Sequence, residues 1–186
     1  HAPFAALANG ALAHAFEMDC LVQPSAGVHP GASLTAPGLA IAQEVGANGR
    51  DFITAVVAGG EVMHRIGDAS KQSTEHIGFH APGVTGAFGG AVTAGRLLKL
   101  TAAQMANALG IAGSLGCGLL EFSKSGGGDV KRLHLGRAAE SGVLAATLAK
   151  NGFTGPATVL EGKFGYMNVF CHEGDAARLT AGLGEV

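Results

Sequence analysis

The sequence predicts an all-α protein, a compact helical bundle that forms a single helical domain over residues 1–186. Apolar residues recur at helical spacing in several long segments, whereas no segment of useful length alternates as a β-strand does. The chain is 47% hydrophobic but only 5% aromatic, and it contains 31 glycines. Small residues let helix backbones approach each other closely, so we expect tightly packed helices.

Three helices are predicted in the first part of the chain. Residues 3–17 form an Ala-rich helix, and residues 32–45 form a second one that ends at Gly46. Asn48 is the expected N-cap of the clearest helix, over residues 50–66. The expected buried face of that helix consists of Phe52, Ile53, Val56, Val57, Gly60 and Met63.

A polar segment separates these helices from the next two. Residues 67–81 are rich in polar side chains and predict a loop. A helix over residues 84–98 follows, with Pro82 in the first turn, where proline is tolerated. Thr101 followed by Gln104 is a capping-box pattern, which predicts the start of another helix.

A glycine-rich bend over residues 115–131 leads to a last long helix over residues 135–151. A short helical turn is predicted over residues 157–161, and the helical pattern weakens beyond it. Close contacts between helices are expected at three glycines: Gly86, Gly90 and Gly95.

Composition argues against several classes of protein. The net charge is −2 and the 12 Lys and Arg residues are scattered, so we predict no nucleic-acid partner. Residues 102–120 carry no charge, but their polar amides and glycines are typical of a buried helix, so we predict no membrane partner. The three cysteines form no Cys-x-x-Cys pair, which indicates reduced thiols in a cytoplasmic protein.

Groups suited to acid–base chemistry and anion binding concentrate in three predicted loops. The first loop, residues 18–31, is bent by Pro24, Gly27, Pro30 and Gly31. Imidazoles beside a bound carboxylate suit proton transfer, and Lys or Arg side chains bind carboxylates. If the loops converge, they form a site for a small anionic substrate. The candidate residues are Asp19 and His29, then His80, then Lys131, His134 and Arg137.

Each candidate also has a purely structural explanation. Asp19 and His29 fit a helix connector, and His80 fits an N-cap position. Lys131 and its neighbour Arg132 fit a solvated edge. We interpret the remaining histidines of this part of the chain as structural or surface groups: His14, His64 and His76.

His134 stays ambiguous, because its apolar neighbours could hold it in the core. An alternative metal site made of Asp19, His29 and His80 lacks the His-x-x-x-His or Cys spacing that would support it. We therefore predict no bound metal.

Several motifs resemble those of a known family. Residues 9–19 read Asn-Gly-Ala-Leu-Ala-His-Ala-Phe-Glu-Met-Asp, and His-Pro-Gly follows at residues 29–31. With the stretches given below, this pattern is similar to that of the MmgE/PrpD family over about residues 4–165. The further matching stretches are Gly-Arg-Asp at 49–51, Gly-Phe-His at 78–80 with Gly86 following, Lys-Arg-Leu-His-Leu-Gly-Arg-Ala-Ala at 131–139, Phe-Thr-Gly-Pro at 153–156 and Leu-Glu-Gly at 160–162.

The resemblance implies that the bundle is the large helical domain of a homodimeric, cofactor-independent enzyme that acts on a small carboxylate. The family's α+β lid domain is absent from residues 1–186. The family often has Phe-Asp-Asp just after the position of Asp19, where this chain has Cys20-Leu21-Val22, so the choice of substrate stays open. The family's pocket residues carry over onto Asp19, His29, His80 and Lys131, with His134 and Arg137 as expected substrate-binding neighbours.

We therefore predict a lyase, either a dehydratase or a decarboxylase, that removes a proton next to a carboxylate of a di- or tricarboxylate. His29 or His80 would carry the proton. Asp19 would orient an imidazole and balance its charge, and Lys131 would hold a substrate carboxylate. Two alternatives remain: an isomerase or epimerase that uses the same pocket, and a non-catalytic helical module.

Overall fold

The computed structural model describes residues 1–22 and 27–185. Within these ranges the β-type pairing is an isolated bridge between Phe79 and Leu119, and no strand forms. A 3-10 turn at Ala176–Leu179 follows the last α-helix. The prediction of an all-α domain is therefore confirmed. The helices are α1 (Ala2–Ala13), α2 (Pro30–Val45), α3 (Gly49–Ser70), α4 (Ser73–His76), α5 (Ala81–Leu97), α6 (Ala102–Leu115), α7 (Phe122–Ser125), α8 (Asp129–Lys150) and α9 (Tyr166–Val169).

Helix α8 lies at the centre of the bundle and packs against α1, α2, α5 and α6. Glycines make the closest of these contacts. A Cβ atom added to Gly142 would lie 2.5 Å from the carbonyl carbon of Gly90 on α5. A Cβ atom added to Gly136 would lie 2.4 Å from the carbonyl oxygen of Leu7 on α1. The neighbouring helices therefore contact the backbone of α8 itself.

The three glycines predicted at helix contacts all lie where one helix packs closely against another. Gly86 faces Ala138, Gly90 faces Gly142 and Gly95 faces Met105. The predicted caps also form: Gly46 ends α2 in a left-handed conformation, and the Asn48 side chain accepts a hydrogen bond from the Asp51 amide. At the start of α6, Thr101 and Gln104 form both hydrogen bonds of a capping box.

The buried face of α3 differs from the predicted one. Ile53 and Val57 are 63% and 65% exposed, although both were expected in the core. A Cβ atom on Gly59 would lie 2.0 Å from Oγ1 of Thr93 on α5. The prediction ranked side chains by hydrophobicity, whereas this close helix contact requires the smallest side chains. The buried residues of the central stripe are Ala55, Gly59, Met63 and Ile66.

The predicted loop over residues 67–81 is partly wrong, because α3 continues to Ser70 and the short α4 follows. Ala69 and Ser70 are both buried, so the last turn of α3 belongs to the core. Lys71 then ends the helix with a left-handed φ of 50°. Polarity alone did not show that these residues face inward.

Helix α8 begins at Asp129, before the predicted start at residue 135. Residues 131–137 therefore lie on a helix and not in a loop. Gly126 and Gly127 adopt φ angles of 87° and 76°, which complete the turn before the helix. Asp129 lies in the first helical turn, where a negative charge is favourable.

The segment after α8 packs on α6 without the helical turn predicted over residues 157–161, which form hydrogen-bonded turns instead. A Cβ atom on Gly155 would lie 2.6 Å from the carbonyl oxygen of Asn107, so this segment lies directly against the α6 backbone. Tyr166, at the start of α9, is buried with its ring edge-to-face with Phe88 at 5.8 Å. In the described part of the chain, no helix is long and apolar enough to cross a membrane.

We expect Gly142→Ala to lower the free energy of unfolding by about 1–3 kcal/mol, because the new methyl group would overlap the α5 backbone. Gly49→Ala is the matched control, since a Cβ atom there meets open space at the start of α3. The control should leave stability unchanged or raise it by up to about 1 kcal/mol. Urea unfolding measures both, and equal stabilities for the two variants would contradict the close packing of α8.

Candidate active site

The segment that follows α1 turns back on itself and carries the first group of site residues. His14 occupies the C-cap of α1 and is 1% exposed. Glu17 has a left-handed φ of 53°, and this turn lies between the helix end and Asp19. The predicted helix over residues 3–17 is therefore too long. Pro24, predicted as one of the bends of the following loop, lies outside the described residues.

Asp19 links two imidazoles through its two carboxylate oxygens. Its Oδ1 accepts a hydrogen bond from Nδ1 of His14 at 2.7 Å, and its Oδ2 accepts one from Nδ1 of His29 at 3.3 Å. The Asp19 side chain is only 8% exposed. His29 precedes Pro30 at the N-cap position of α2, so the start of that helix fixes its backbone. The two rings are edge-to-face, with centroids 5.1 Å apart.

The pKa of His29 lies below its ordinary value. Burial of the ring is the main cause, and the nearby carboxylate of Asp19 opposes it. The electrostatic effects of His14 and Lys131 lower the pKa further. His29 is therefore a neutral imidazole at neutral pH, the form that accepts a proton.

Lys131, on the first turns of α8, contributes a cation to the same region. Its Nζ donates a hydrogen bond to Oε2 of Glu17 at 2.5 Å. This bond lowers the pKa of the Glu17 carboxyl. The two residues are 114 positions apart in sequence, and their contact joins the segment after α1 to the start of α8.

His80 and His134 form a second imidazole pair. His80 lies at the N-cap position of α5 and makes no side-chain capping bond. Its Nδ1 lies 3.1 Å from Nδ1 of His134 on α8, and the ring of Phe122 meets both rings at their edges. Burial lowers the pKa of His80 to about 3, and the neighbouring His134 lowers it further, because two adjacent imidazoles disfavour a second proton. Burial also lowers the pKa of His134.

The hydrogen bond in this pair determines how its protons are arranged. Both rings are neutral near pH 7, so one Nδ1 donates and the other accepts. The donating ring then has a free lone pair on Nε2, whereas the accepting ring carries its proton on Nε2. The pair thus offers one acceptor and one donor nitrogen in addition to the bond between them.

The two imidazole groups lie in one electrostatic environment. The electrostatic effects of Lys131, His14 and His29 all contribute to the lowered pKa of His80. Of the predicted residues, the structure thus brings Asp19, His29, His80, Lys131 and His134 into one interacting group. Their catalytic and binding roles stay predictions.

Among the described residues, Arg137 forms no hydrogen bond or ion pair with the other predicted site residues. Its guanidinium forms an ion pair with Glu140, one turn further along α8. Arg137 itself is exposed on the surface of α8. Its substrate-binding role stays a prediction.

Three further residues belong to the group, although the sequence did not mark them as site residues: His14, Glu17 and Phe122. His14 was interpreted as structural or surface, but it hydrogen-bonds directly to Asp19. Its position at the end of a helix, five residues before Asp19, was a usable signal. Phe122 had no such signal, because only the folded chain brings it beside the histidines.

Three side chains of this region have the geometry to ligate a metal ion, and they differ from the set of Asp19, His29 and His80 considered from the sequence. One ligand atom each from His14, Asp19 and His29 lie within 4.8 Å of one another. His80 is paired with His134 instead. The prediction of no bound metal stays untested.

The helical domain thus brings imidazoles, carboxylates and an ammonium into one region, and these are groups that can move protons and bind anions. Residues 1–179 match the MmgE/PrpD N-terminal domain, and the chain belongs to the MmgE/PrpD family.

Curated relatives carry the name of an enzyme. The chain is 39% identical over 168 residues to a cis-aconitate decarboxylase of Aspergillus terreus, covering 87% of this chain and 34% of that protein. It is 31% identical over 168 residues to the cis-aconitate decarboxylase of Homo sapiens, covering 88% and 34%. The cis-aconitate decarboxylase-like protein oryM of Aspergillus oryzae is 32% identical over 170 residues, covering 87% and 34%. The chain thus spans about a third of the length of these relatives.

We expect His80 to make stability depend on pH. Because the pKa of His80 is lowered to about 3 in the folded state, the unfolded chain binds a proton that the folded chain excludes. This contribution is complete above the ordinary pKa near 6.5 and is lost as the pH falls toward 3.

Urea unfolding at pH 7 and pH 5 tests this. His80→Asn should lose less stability on acidification than the wild-type protein, by about 2 kcal/mol. His64→Asn removes an exposed histidine from α3 and is the matched control. If His80→Asn and the wild-type protein lose the same stability between pH 7 and pH 5, His80 is not held uncharged by burial.

Proposed function

We propose that this domain binds a small di- or tricarboxylate and supports lyase chemistry, the loss of carbon dioxide or of water, by moving a proton at the carbon next to a carboxylate. One observation carries the proposal. The ammonium of Lys131 acts electrostatically on the imidazoles of both His29 and His80, and burial lowers the pKa values of both imidazoles. A fixed cation binds a carboxylate, and a neutral imidazole accepts the proton.

A carboxylate already lies on Lys131, which supports its role as an anion-binding group. Oε2 of Glu17 occupies this place at 2.5 Å from Nζ. A substrate carboxylate has the same charge and geometry, so it can replace Glu17 or share the ammonium with it. Lys131 is only partly exposed, with 28% of its side chain accessible, and this strengthens its interaction with an anion.

Proton transfer then takes place between the substrate carbon and an imidazole. The C–H bond breaks, the proton forms a bond with the free nitrogen of His29 or His80, and the electron pair moves toward the adjacent carboxylate. Lys131 stabilises the charge that develops there. In the dehydratase reaction the removed proton leaves with the hydroxide as water. In the decarboxylase reaction the proton returns to carbon, the C–C bond to a carboxylate breaks, and the electron pair left when carbon dioxide departs takes up one further proton, which water supplies through an imidazole. These steps need only side chains and water, so we propose that no cofactor takes part.

Decarboxylation of an unsaturated tricarboxylate is the first reaction to test, because the relatives described above are named cis-aconitate decarboxylases. Epimerisation is a second candidate, supported by a specific observation. His29 and the pair of His80 with His134 are two separate imidazole groups, and removal and return of a proton on opposite faces requires two such groups.

A further domain and a second copy of the chain would complete the enclosure of this region. Phe16 and Met18 flank Glu17 and are 86% and 89% exposed, and Leu119 near His80 is 66% exposed. Apolar side chains exposed this strongly beside a polar site are typical of a surface that another domain or subunit covers. The greater length of the relatives supports the same proposal.

We expect Lys131→Met in the natural full-length protein to lower kcat/KM on the best carboxylate of a di- and tricarboxylate panel by roughly 10- to 150-fold, the loss of one charge-assisted contact. Arg132→Met is the matched control, because its guanidinium pairs with Asp129 on the same turn of α8. The control should stay within a few-fold of wild type. Equal losses in the two variants, or no turnover of any carboxylate by wild type, would contradict the proposed function.

Residues 1–186 alone should turn over substrate about two to four decades more slowly than the full-length protein. In an open site, water hydrates Lys131 and the histidines, and their interaction with substrate weakens toward its value in bulk water. Parallel assays of the two proteins under one set of conditions measure the difference. Comparable turnover would show that the site is complete within these residues.

A further inference from the structure

His14 is the most deeply buried member of the group, and the mechanism above gives it no task. Its ring is 1% exposed and contacts both Asp19 and His29. The bond from its Nδ1 to Asp19, at 2.7 Å, is shorter than the 3.3 Å bond from His29 to the same carboxylate. Of the two hydrogen bonds to the Asp19 carboxylate, the one from His14 is therefore the closer.

The burial of His14 also determines where its proton lies. Its Nε2 is buried and has no hydrogen-bond partner among the described residues. A proton on Nε2 would be buried without an acceptor, which is costly. The ring therefore carries its proton on Nδ1 and donates it to Oδ1 of Asp19.

We propose that His14 is a positioning residue: by donating to Oδ1 of Asp19, it orients the carboxylate so that Oδ2 accepts the Nδ1 proton of His29, which leaves Nε2 of His29 as the nitrogen that accepts a proton from substrate. The inference rests on the proposed function and deepens it by selecting one atom of His29. When Nε2 takes up the substrate proton, the Nδ1 proton stays between His29 and Asp19, and the electron pair stays with the substrate.

The alternative is that a divalent cation binds between the side chains of His14, Asp19 and His29. Two features favour the hydrogen-bonded arrangement. The 2.7 Å separation of His14 and Asp19 is that of a hydrogen bond. The ammonium of Lys131 is close enough to lower the pKa of His29, and it would repel a cation at the same place.

The groups that act electrostatically on His29 come from two parts of the fold. Asp19 and His14 lie in the segment after α1, and Lys131 lies on α8. His80, which precedes α5, is an uncharged neighbour whose own pKa His29 helps to lower. Glu17 belongs to the same field through Lys131. His14 and His29 share the carboxylate of Asp19 through hydrogen bonds. Replacing His14 therefore changes how the charge of Asp19 acts on His29.

Two substitutions in the natural full-length protein test the proposal. His14→Leu removes the donor, whereas His14→Asn places an amide N–H close to the position of Nδ1. His14→Leu should lower kcat by roughly 10²-fold with KM within a few-fold of wild type, since the base loses its orientation. The acid limb of its kcat/KM profile should move to higher pH, because the Asp19 charge then acts on His29 alone. His14→Asn should recover most of kcat and the wild-type limb.

A structural role alone would leave the acid limb unmoved and would make the two variants equal in rate, and either result overturns the proposal. Circular dichroism establishes that each variant is folded. A failure of His14→Leu to fold leaves His14→Asn and wild type to be compared by their pH profiles, where a moved limb in His14→Asn would count against the proposal.

Nuclear magnetic resonance of ¹⁵N-histidine-labelled protein gives a readout that does not depend on turnover. Long-range ¹H–¹⁵N correlations of wild type should show His14 and His29 both protonated at Nδ1 and both unprotonated at Nε2, with His29→Gln and His14→Asn used for assignment. An Nε2-protonated His29 overturns the inference even in an active enzyme. A correct tautomer in a protein that turns over no carboxylate would leave the inference standing and reject the proposed function. A metal site would show itself in two ways: the ¹⁵N resonances of His14 and His29 would shift on addition of Zn²⁺, and a chelator would abolish activity that Zn²⁺ restores. These two results together would overturn the hydrogen-bonded arrangement.

Discussion

Backbone contact along α8 is the constraint on which the rest of the domain depends. Gly136 brings α1 against α8, and Gly142 brings α5 against it, at distances that leave no room for a methyl group. Each of these neighbours carries site residues at its end nearest the start of α8: His14 follows α1, and His80 precedes α5. Lys131 and His134 meet them from α8 itself. The separation of the helices therefore sets the separation of the chemical groups.

Burial then gives these groups their chemical character. The same desolvation that lowers the pKa of His80 to about 3 keeps its imidazole uncharged beside the ammonium of Lys131. Asp19 opposes this effect at His29 without cancelling it. A cation and the uncharged imidazole of His80 thus occur in one region near pH 6, where an exposed histidine would be largely charged.

The sequence predicted the fold class and most helix positions, since helical periodicity, capping residues and turn glycines act locally. It failed where tertiary contact decided the outcome. The face of α3 is selected by the close approach at Gly59, which the hydrophobicity of Ile53 and Val57 concealed. The resemblance to the family pointed to pocket roles for Asp19, His29, His80 and Lys131. His14 and Glu17 lie in one of the same motifs but received no role, because their importance comes from contacts with those residues in the folded chain. No periodicity in a sequence encodes such a contact.

The glycine contacts have a consequence for how genetic data on this protein should be interpreted. A saturation screen that selects for loss of activity would recover Gly136 and Gly142 together with the histidines, although both glycines lack a side chain that could react. Sensitivity to substitution would then extend along the whole length of α8 and resemble a very large catalytic surface. Only a parallel measurement of folded protein abundance would separate the positions that build the helix interface from those that act on the substrate.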